Sequence, residues 1–151
     1  EAAASAILLY ALFNLIYALL ALPAGIWSDR IGRRKVLAAG YGLFALTALG
    51  FATVSSQTGL VMLFALYGLV YALVDGSERA FVSDLSPVSL RGSALGIYSG
   101  ALGLTAIASS LLAGAIWELW GQQATFVFGA GAAGMAAVGL MVWRERSGIQ
   151  T

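Results

Sequence analysis

Asp75, Glu78 and Arg79 are the residues whose types and spacing carry the most chemistry in this chain. They follow a stretch without charge from Val36 to Val74, and offsets of three and four residues place them on one face of a helix. If that helix leaves the apolar phase near Val82, Asp75 lies about 10 Å inside the boundary at 1.5 Å per residue. A carboxylate at that depth costs a few kcal/mol and persists where it is paired, faces water or serves a function. Two readings follow. Asp75 and Arg79 satisfy each other as an ion pair or brace the basic loop described below, or Asp75 and Glu78, with Arg79 beside them, exchange a proton. Tyr67 and Tyr71 stand on the same side of this helix, and Asn14 lies near the middle of the first apolar run with Tyr10 and Tyr17 close by. These five side chains are candidates for lining a cavity, against the plainer reading of helix packing.

Composition decides what kind of element holds these groups. Of 151 residues, 60% are apolar and 10% charged, and the mean hydropathy is +0.89. A water-soluble domain carries about a quarter of its residues as charges, so a soluble fold is excluded. With no His and no Cys, zinc sites, disulfides, thiol nucleophiles and imidazole catalysts are excluded as well, and neither a metal nor a cofactor is expected. A net charge of +1 leaves no basic surface for nucleic acid.

Four uncharged runs remain: Ala2 to Ser28, Val36 to Val74, Gly92 to Trp117 and Leu119 to Trp143. Each is long enough to cross a bilayer, which takes about 20 residues. The second would make a helix of about 58 Å, twice the hydrocarbon thickness, so it folds back at the turn-forming cluster Ser55 to Gly59. The expected architecture is an all-α polytopic membrane protein with five spans, about 4–27, 36–54, 60–82, 93–117 and 123–143, in one domain. The first run lacks the basic leader and the short core of a signal peptide, and the chain reads as a segment of something longer.

Five spans put all eight cations on one side: Arg30, Arg33, Arg34 and Lys35 after the first, Arg79 and Arg91 around the exit of the third, Arg144 and Arg146 after the fifth. Glu1 and Glu118 fall on the other. The positive-inside rule then places the start of the chain outside and its end in the cytoplasm, in the plasma (inner) membrane. Trp27, Trp117, Trp120 and Trp143 all sit at span ends, where interfacial aromatics collect. Glycines at 92, 96, 100 and 103 predict a fourth span packed tightly on its neighbours, with Ser99 and Ser110 alongside. Gly129, Gly131, Gly134 and Gly139 fit a fifth span with one face on lipid.

After the first span the sequence reads Gly25-Ile26-Trp27-Ser28-Asp29-Arg30-Ile31-Gly32-Arg33-Arg34-Lys35. Gly25 suits a close helix approach and Gly32 a tight turn. Asp29 can offer its carboxylate to a helix N-terminus, and Arg33 and Arg34 can fork onto carboxylates. Below the third span, Asp84 and Arg91 are separated by six residues, with Pro87 ending the helix. Together these loops resemble two signatures of the major facilitator superfamily, the G-x-x-x-D-R-x-G-R-R loop and the acid-x6-Arg-Gly connection. The resemblance implies a twelve-helix secondary transporter of two six-helix halves, moving a small-molecule substrate by alternating access.

Carried over by residue, the cytoplasmic gate comprises Gly25, Asp29, Arg30, Gly32, Arg33, Arg34, Glu78, Asp84 and Arg91. Asp29 would contact the facing half, and Arg33 would pair with Asp84 or Glu78. The polar tail and the lack of a Gly-Pro antiporter motif in the fourth span point to the second half, helices eight to twelve, with the first half missing. Helices eight, ten and eleven would line the pathway while nine and twelve lie outside, and Asp75, Glu78 and Arg79 would couple transport to protons. The implied partners are a solute, the lipid bilayer and the missing half. A non-transporting sensor or assembly subunit on the same fold is the alternative. An enzyme is not expected: Asp75-Gly76 is similar to the start of a metal-dependent phosphatidyl-transferase motif, but Ala72 stands where that motif needs Asp.

Overall fold

The computed structural model describes residues 2–142. Glu1, Trp143, Arg144 and Arg146, and with them part of the expected charge and tryptophan pattern, lie outside the described residues. The chain forms α1 (Ala2–Ile31), α2 (Arg33–Thr53), α3 (Gln57–Asp84), a 3-10 turn (Val88–Leu90) and α4 (Arg91–Val142). Among the described residues there is no strand. All four α-helices are long and apolar enough to cross a membrane, and the fold is that of an all-α polytopic membrane protein.

Each reversal has a local cause. Between α1 and α2, Gly32 takes φ 103°, a left-handed conformation that only glycine adopts cheaply. Between α2 and α3, Val54 is extended, and the Ser56 hydroxyl caps α3 by accepting from the Gly59 N–H at 3.1 Å. This is the turn expected at Ser55 to Gly59. After α3, Pro87 opens the 3-10 turn, whose Leu90 N–H donates to the Pro87 carbonyl at 2.9 Å.

α4 has 52 residues and as a straight rod would reach about 78 Å. It is broken at Gly121, with φ 84° and ψ 176°, into a first arm, 91–120, and a second arm, 122–142. Leu102 and Ala136 line one cavity, although a straight helix would hold them about 51 Å apart. The arms therefore fold back on each other, and the break falls in the expected gap between 117 and 123. α1 and α3 overrun their expected spans at both ends, because helical hydrogen bonding continues past the apolar stretch.

Alanines predominate in the core, beside Val36, Leu37 and Val70. Ala48 and Ala52 of α2, Ala72 of α3, and Ala130, Ala133 and Ala137 of the second arm are buried. The last three are spaced as one helical face. Without a hydrophobic force between helices in lipid, such residues let backbones come close enough for dispersion to hold them. At Gly68, α3 comes against the backbone of α1: a Cβ there would stand 2.8 Å from the Phe13 carbonyl oxygen and 3.0 Å from the Ile16 Cβ.

The first arm departs from expectation. Gly92, Gly96, Gly100 and Gly103 are exposed, as are Ser99 and Ser110, and a Cβ on any of these glycines would meet nothing within 4 Å. A small-residue stripe permits close approach but needs a facing helix, and among the described residues none faces it. A Cβ on the glycines of the second arm would likewise meet nothing within 4 Å, although Gly129 and Gly134 are half-buried; the buried residues of this arm are its alanines.

Replacing Gly68 by Ala is expected to destabilise the detergent-solubilised protein by about 1–3 kcal/mol, the usual cost of overpacking. Gly139→Ala, with open space around it, is expected to be neutral or stabilising through helix propensity. Thermal unfolding of the two variants side by side checks this, and equal midpoints would contradict the α1–α3 contact.

Candidate functional site

At the polar end of the bundle one guanidinium joins three helix ends. Gly32 turns the chain sharply enough to bring Arg33, the first residue of α2, back against the end of α1. Arg33 Nη2 lies 3.1 Å from Asp29 Oδ1, and Arg33 Nε lies 2.8 Å from Asp84 Oδ2 at the end of α3. The planar fork of arginine suits such two-sided pairing. Arg33 is 26% exposed, and the carboxylates of Asp29 and Asp84 are 66% and 52% exposed. Solvent screening holds pairs of this kind to about 0–1 kcal/mol.

Of the two partners expected for Arg33, the structure brings Asp84 to it, while Glu78 is engaged elsewhere. Other details of this joint differ from expectation. The N-terminus of α2 begins at Gly32 with no side-chain cap bond, so Asp29 serves the arginine instead of the helix end. A Cβ on Gly25 would meet nothing within 4 Å; the residues of α1 buried here are its neighbour Ala24 and, one turn on, Ser28. Arg91 donates from Nε to the Ser83 carbonyl at 3.2 Å and so clips the connection to the end of α3. Arg34 and Lys35 line a cavity of about 310 Å³ together with Arg33 and Asp84, and Arg30 is exposed.

Further into the bundle, α3 presents a ladder of polar groups, two of them answered from α1 and the third from α2 and α4. Ser77 donates to Ser28 of α1 at 2.9 Å, with both residues 2% exposed. Asp75 accepts from the Tyr17 hydroxyl of α1 at 2.9 Å and from Arg79 Nη2 at 3.3 Å. Glu78 accepts from two hydroxyls, Tyr41 of α2 on Oε1 and Tyr98 of the first arm on Oε2. The Asp75–Arg79 pair is the one read from helical spacing. Ser28, Ser77, Tyr41 and Tyr98 are partners that spacing did not reveal. The available signal was that a tyrosine hydroxyl in an apolar run needs an acceptor, and Asp75 and Glu78 are the carboxylates within reach.

The aromatic candidates separate into two groups. Phe13, Tyr67 and Tyr71 pack in tilted and edge-to-face pairs with ring centroids 5.2 Å apart, and Tyr10 and Tyr17 extend the cluster along α1. Asn14 spends its amide N–H on the Tyr10 carbonyl of its own helix at 2.8 Å. A cavity of about 740 Å³ lies between α2, α3 and both arms of α4, and Tyr71, Asp75 and Glu78 line it. Tyr67 borders a smaller one of about 360 Å³. Tyr10, Asn14 and Tyr17 line neither. The larger cavity also takes Tyr41 and Phe44 from α2 and Phe128 from the second arm, the two elements expected to stay outside. They enter because the first arm stands away from the bundle and opens the space between.

With this geometry in view, comparison with known proteins identifies the class. The profile described as Major Facilitator Superfamily matches residues 2–150, and the chain belongs to that family of multi-pass membrane transporters. It is 46% identical over 123 residues to "Uncharacterized MFS-type transporter MJ1317" of Methanocaldococcus jannaschii, covering 82% of this chain and 31% of that protein. It is 29% identical over 105 residues to "Tetracenomycin C resistance and export protein" of Streptomyces glaucescens, covering 70% and 20%. With "MFS antiporter QDR3" of Candida albicans it shares 33% identity over 101 residues, covering 66% and 14%. The chain thus spans less than a third of the length of these curated relatives.

Ser77→Ala leaves the Ser28 hydroxyl buried without its partner and is expected to cost about 1 kcal/mol. The double variant Ser28→Ala, Ser77→Ala is expected to cost little more than either single change. A double-mutant cycle on thermal stability reads this, and strictly additive losses would deny the bond.

Proposed function

We propose that the chain is the helix-eight-to-twelve portion of a twelve-helix secondary transporter, and that it contributes one side of an alternating-access pathway coupled to protons. The observation that carries this reading is the pair Asp75 and Glu78. Each carboxylate sits in an apolar helix and is held by tyrosine hydroxyls from a different part of the bundle. A proton arriving on either carboxylate removes a charge from that site and weakens its charge-assisted hydrogen bonds. The change is passed to α1 through Tyr17, to α2 through Tyr41 and to α4 through Tyr98. Protonation state and helix arrangement are thereby linked, which is what coupling requires.

Arg33 supplies the gate in this reading. Its bonds to Asp29 and Asp84 hold the ends of α1, α2 and α3 together on the cytoplasmic side, and the exposed flank of Asp29 faces the half that this chain lacks. The weakness of the joint suits a contact remade in every cycle. The solute is small and is bound jointly with the other half, and the chain start lies outside the cell.

The test uses the full-length protein in liposomes loaded with pyranine, to which drugs, sugars, amino acids and organic acids are added in turn. At least one solute is expected to shift lumenal pH, and Glu78→Gln or Asp75→Asn is expected to abolish the shift while solute exchange persists. Saturable uptake that ignores the pH gradient would remove the coupling and leave the carrier; no uptake of any solute class would overturn the carrier reading.

A further inference from the structure

The rim cavity of about 310 Å³ beside Gly32 shares no lining residue with the two cavities inside the bundle, and it has two unlike halves. One half is apolar, formed by Ile31 at the end of α1 and by Phe81 and Leu85 at the end of α3. Ile31 and Leu85 are 51% and 53% exposed and leave open apolar surface at the mouth. The other half is ionic: Arg33, Arg34 and Lys35 of α2 stand against one carboxylate, Asp84. The volume lies at the small end of ligand sites, enough for a compact headgroup.

The charges here do not cancel. Arg33 is shared by Asp29 at 3.1 Å and Asp84 at 2.8 Å, so both carboxylates of the joint bear on a single guanidinium. Lys35 is exposed and makes no ion pair among the described residues. Arg30, in the last turn of α1, adds another cation nearby. Four cations against two carboxylates leave an excess of two positive charges over the stretch from Asp29 to Lys35 with Asp84.

Depth selects the anion that answers this excess. Trp27, 62% exposed, lies one turn before Ile31, and the uncharged run of α2 opens at Val36. The cavity therefore sits where the apolar segments end, at the level of the headgroups, which long basic side chains reach by snorkelling. A soluble anion would use the ionic half alone, whereas an amphiphile uses both. We propose that this cavity holds the headgroup of an anionic phospholipid, its phosphate on Arg34 and Lys35 and its first acyl carbons over Ile31 and Leu85. The guanidinium fork matches phosphate oxygens, and basic pockets between membrane helices attract anionic headgroups. A choline headgroup carries the same phosphate but brings a cation to a rim that already has cations in excess. The assignment does not rest on the transport reading, since a lipid can occupy this rim in a protein that moves nothing.

The test is equilibrium binding of tail-labelled phosphatidylglycerol to the purified full-length protein in neutral detergent, read by fluorescence anisotropy. Unlabelled phosphatidylglycerol is expected to displace the probe at a concentration at least about ten-fold lower than phosphatidylcholine, and glycerol 3-phosphate is expected to be weaker still. Lys35→Gln should cost about five-fold in affinity, and Arg34→Gln with Lys35→Gln at least about ten-fold. Lys35→Arg, which keeps the charge, should restore binding. Leu85→Ala, at an exposed position, should cost about three-fold by removing the acyl contact.

Equal displacement by phosphatidylcholine would overturn the proposal, because the rim would not read headgroup charge. Displacement by glycerol 3-phosphate as strong as by the lipid, with Leu85→Ala silent, would overturn it in favour of a soluble phosphate. Binding indifferent to Lys35→Gln and to the double variant would place the lipid elsewhere and overturn it as well. Loss of solute flux with lipid binding intact would count against transport and leave this site standing.

Discussion

A polar group carried into a bundle of apolar helices has no water to fall back on, and this constraint organises the structure around α3. Its positions 75, 77 and 78 bear a carboxylate, a hydroxyl and a second carboxylate, and each is matched by a hydroxyl from another helix. No buried side-chain nitrogen or oxygen among the described residues lacks a hydrogen-bond partner. Leaving one unmatched costs free energy comparable to the hydrogen bond itself. The azimuth of α3 about its own axis is therefore set by these bonds as much as by packing. That matters because α1, α2 and α3 are apolar on nearly all sides, and apolar contact alone would hold them in many rotations.

Packing fixes distance where the polar ladder fixes rotation. Gly68 lets α3 come against the backbone of α1, and the second arm, with alanines buried at 130, 133 and 137, meets α2 where Phe126 stacks on Phe51. The first arm has neither device. It is tied through the 3-10 turn, through Arg91 on the Ser83 carbonyl and through Tyr98 on Glu78. The cavity beside it follows from that difference: close packing on one side of the bundle, a few polar ties on the other.

Most of the fold was legible in the sequence because reversals leave chemical marks. Ser55 to Gly59 interrupts an uncharged run too long for one crossing, Gly32 sits among cations, and the interval from Glu118 to Gln122 separates two apolar runs. Contacts within one helix were legible too, since Asp75 and Arg79 lie one turn apart. Contacts between helices were not. The partners of Glu78, at positions 41 and 98, are decided by how each helix is rotated, and an apolar helix carries no periodicity that states its rotation. Glycine spacing misled in the first arm for a related reason: it records a capacity for close approach, and Gly92, Gly96 and Gly100 show that capacity unused within the described residues. On α1, Tyr10 and Asn14 do not line the larger cavity, and an apolar run carries no mark of which way such residues face.

The two kinds of polar contact differ in strength in a way that bears on motion. Arg33, with Asp29 and Asp84, is partly open to solvent, and pairs of that sort contribute about 0–1 kcal/mol. Ser28 with Ser77 is closed to solvent, and breaking it would strand two hydroxyls at about 1–3 kcal/mol each. Both contacts join α3 to the neighbourhood of Gly32, one at the polar rim and the other just inside it. If these helix ends separate during a cycle, the rim joint opens first and the serine contact acts as the fulcrum about which α1 and α3 tilt. A gate built in the opposite order, with the strong contact at the rim, would need its stronger bond to break at every turnover. In the proposed cycle, placing the screened ion pairs outermost would keep the opening cost small, so that a change of one charge on the α3 ladder would be large enough to decide it.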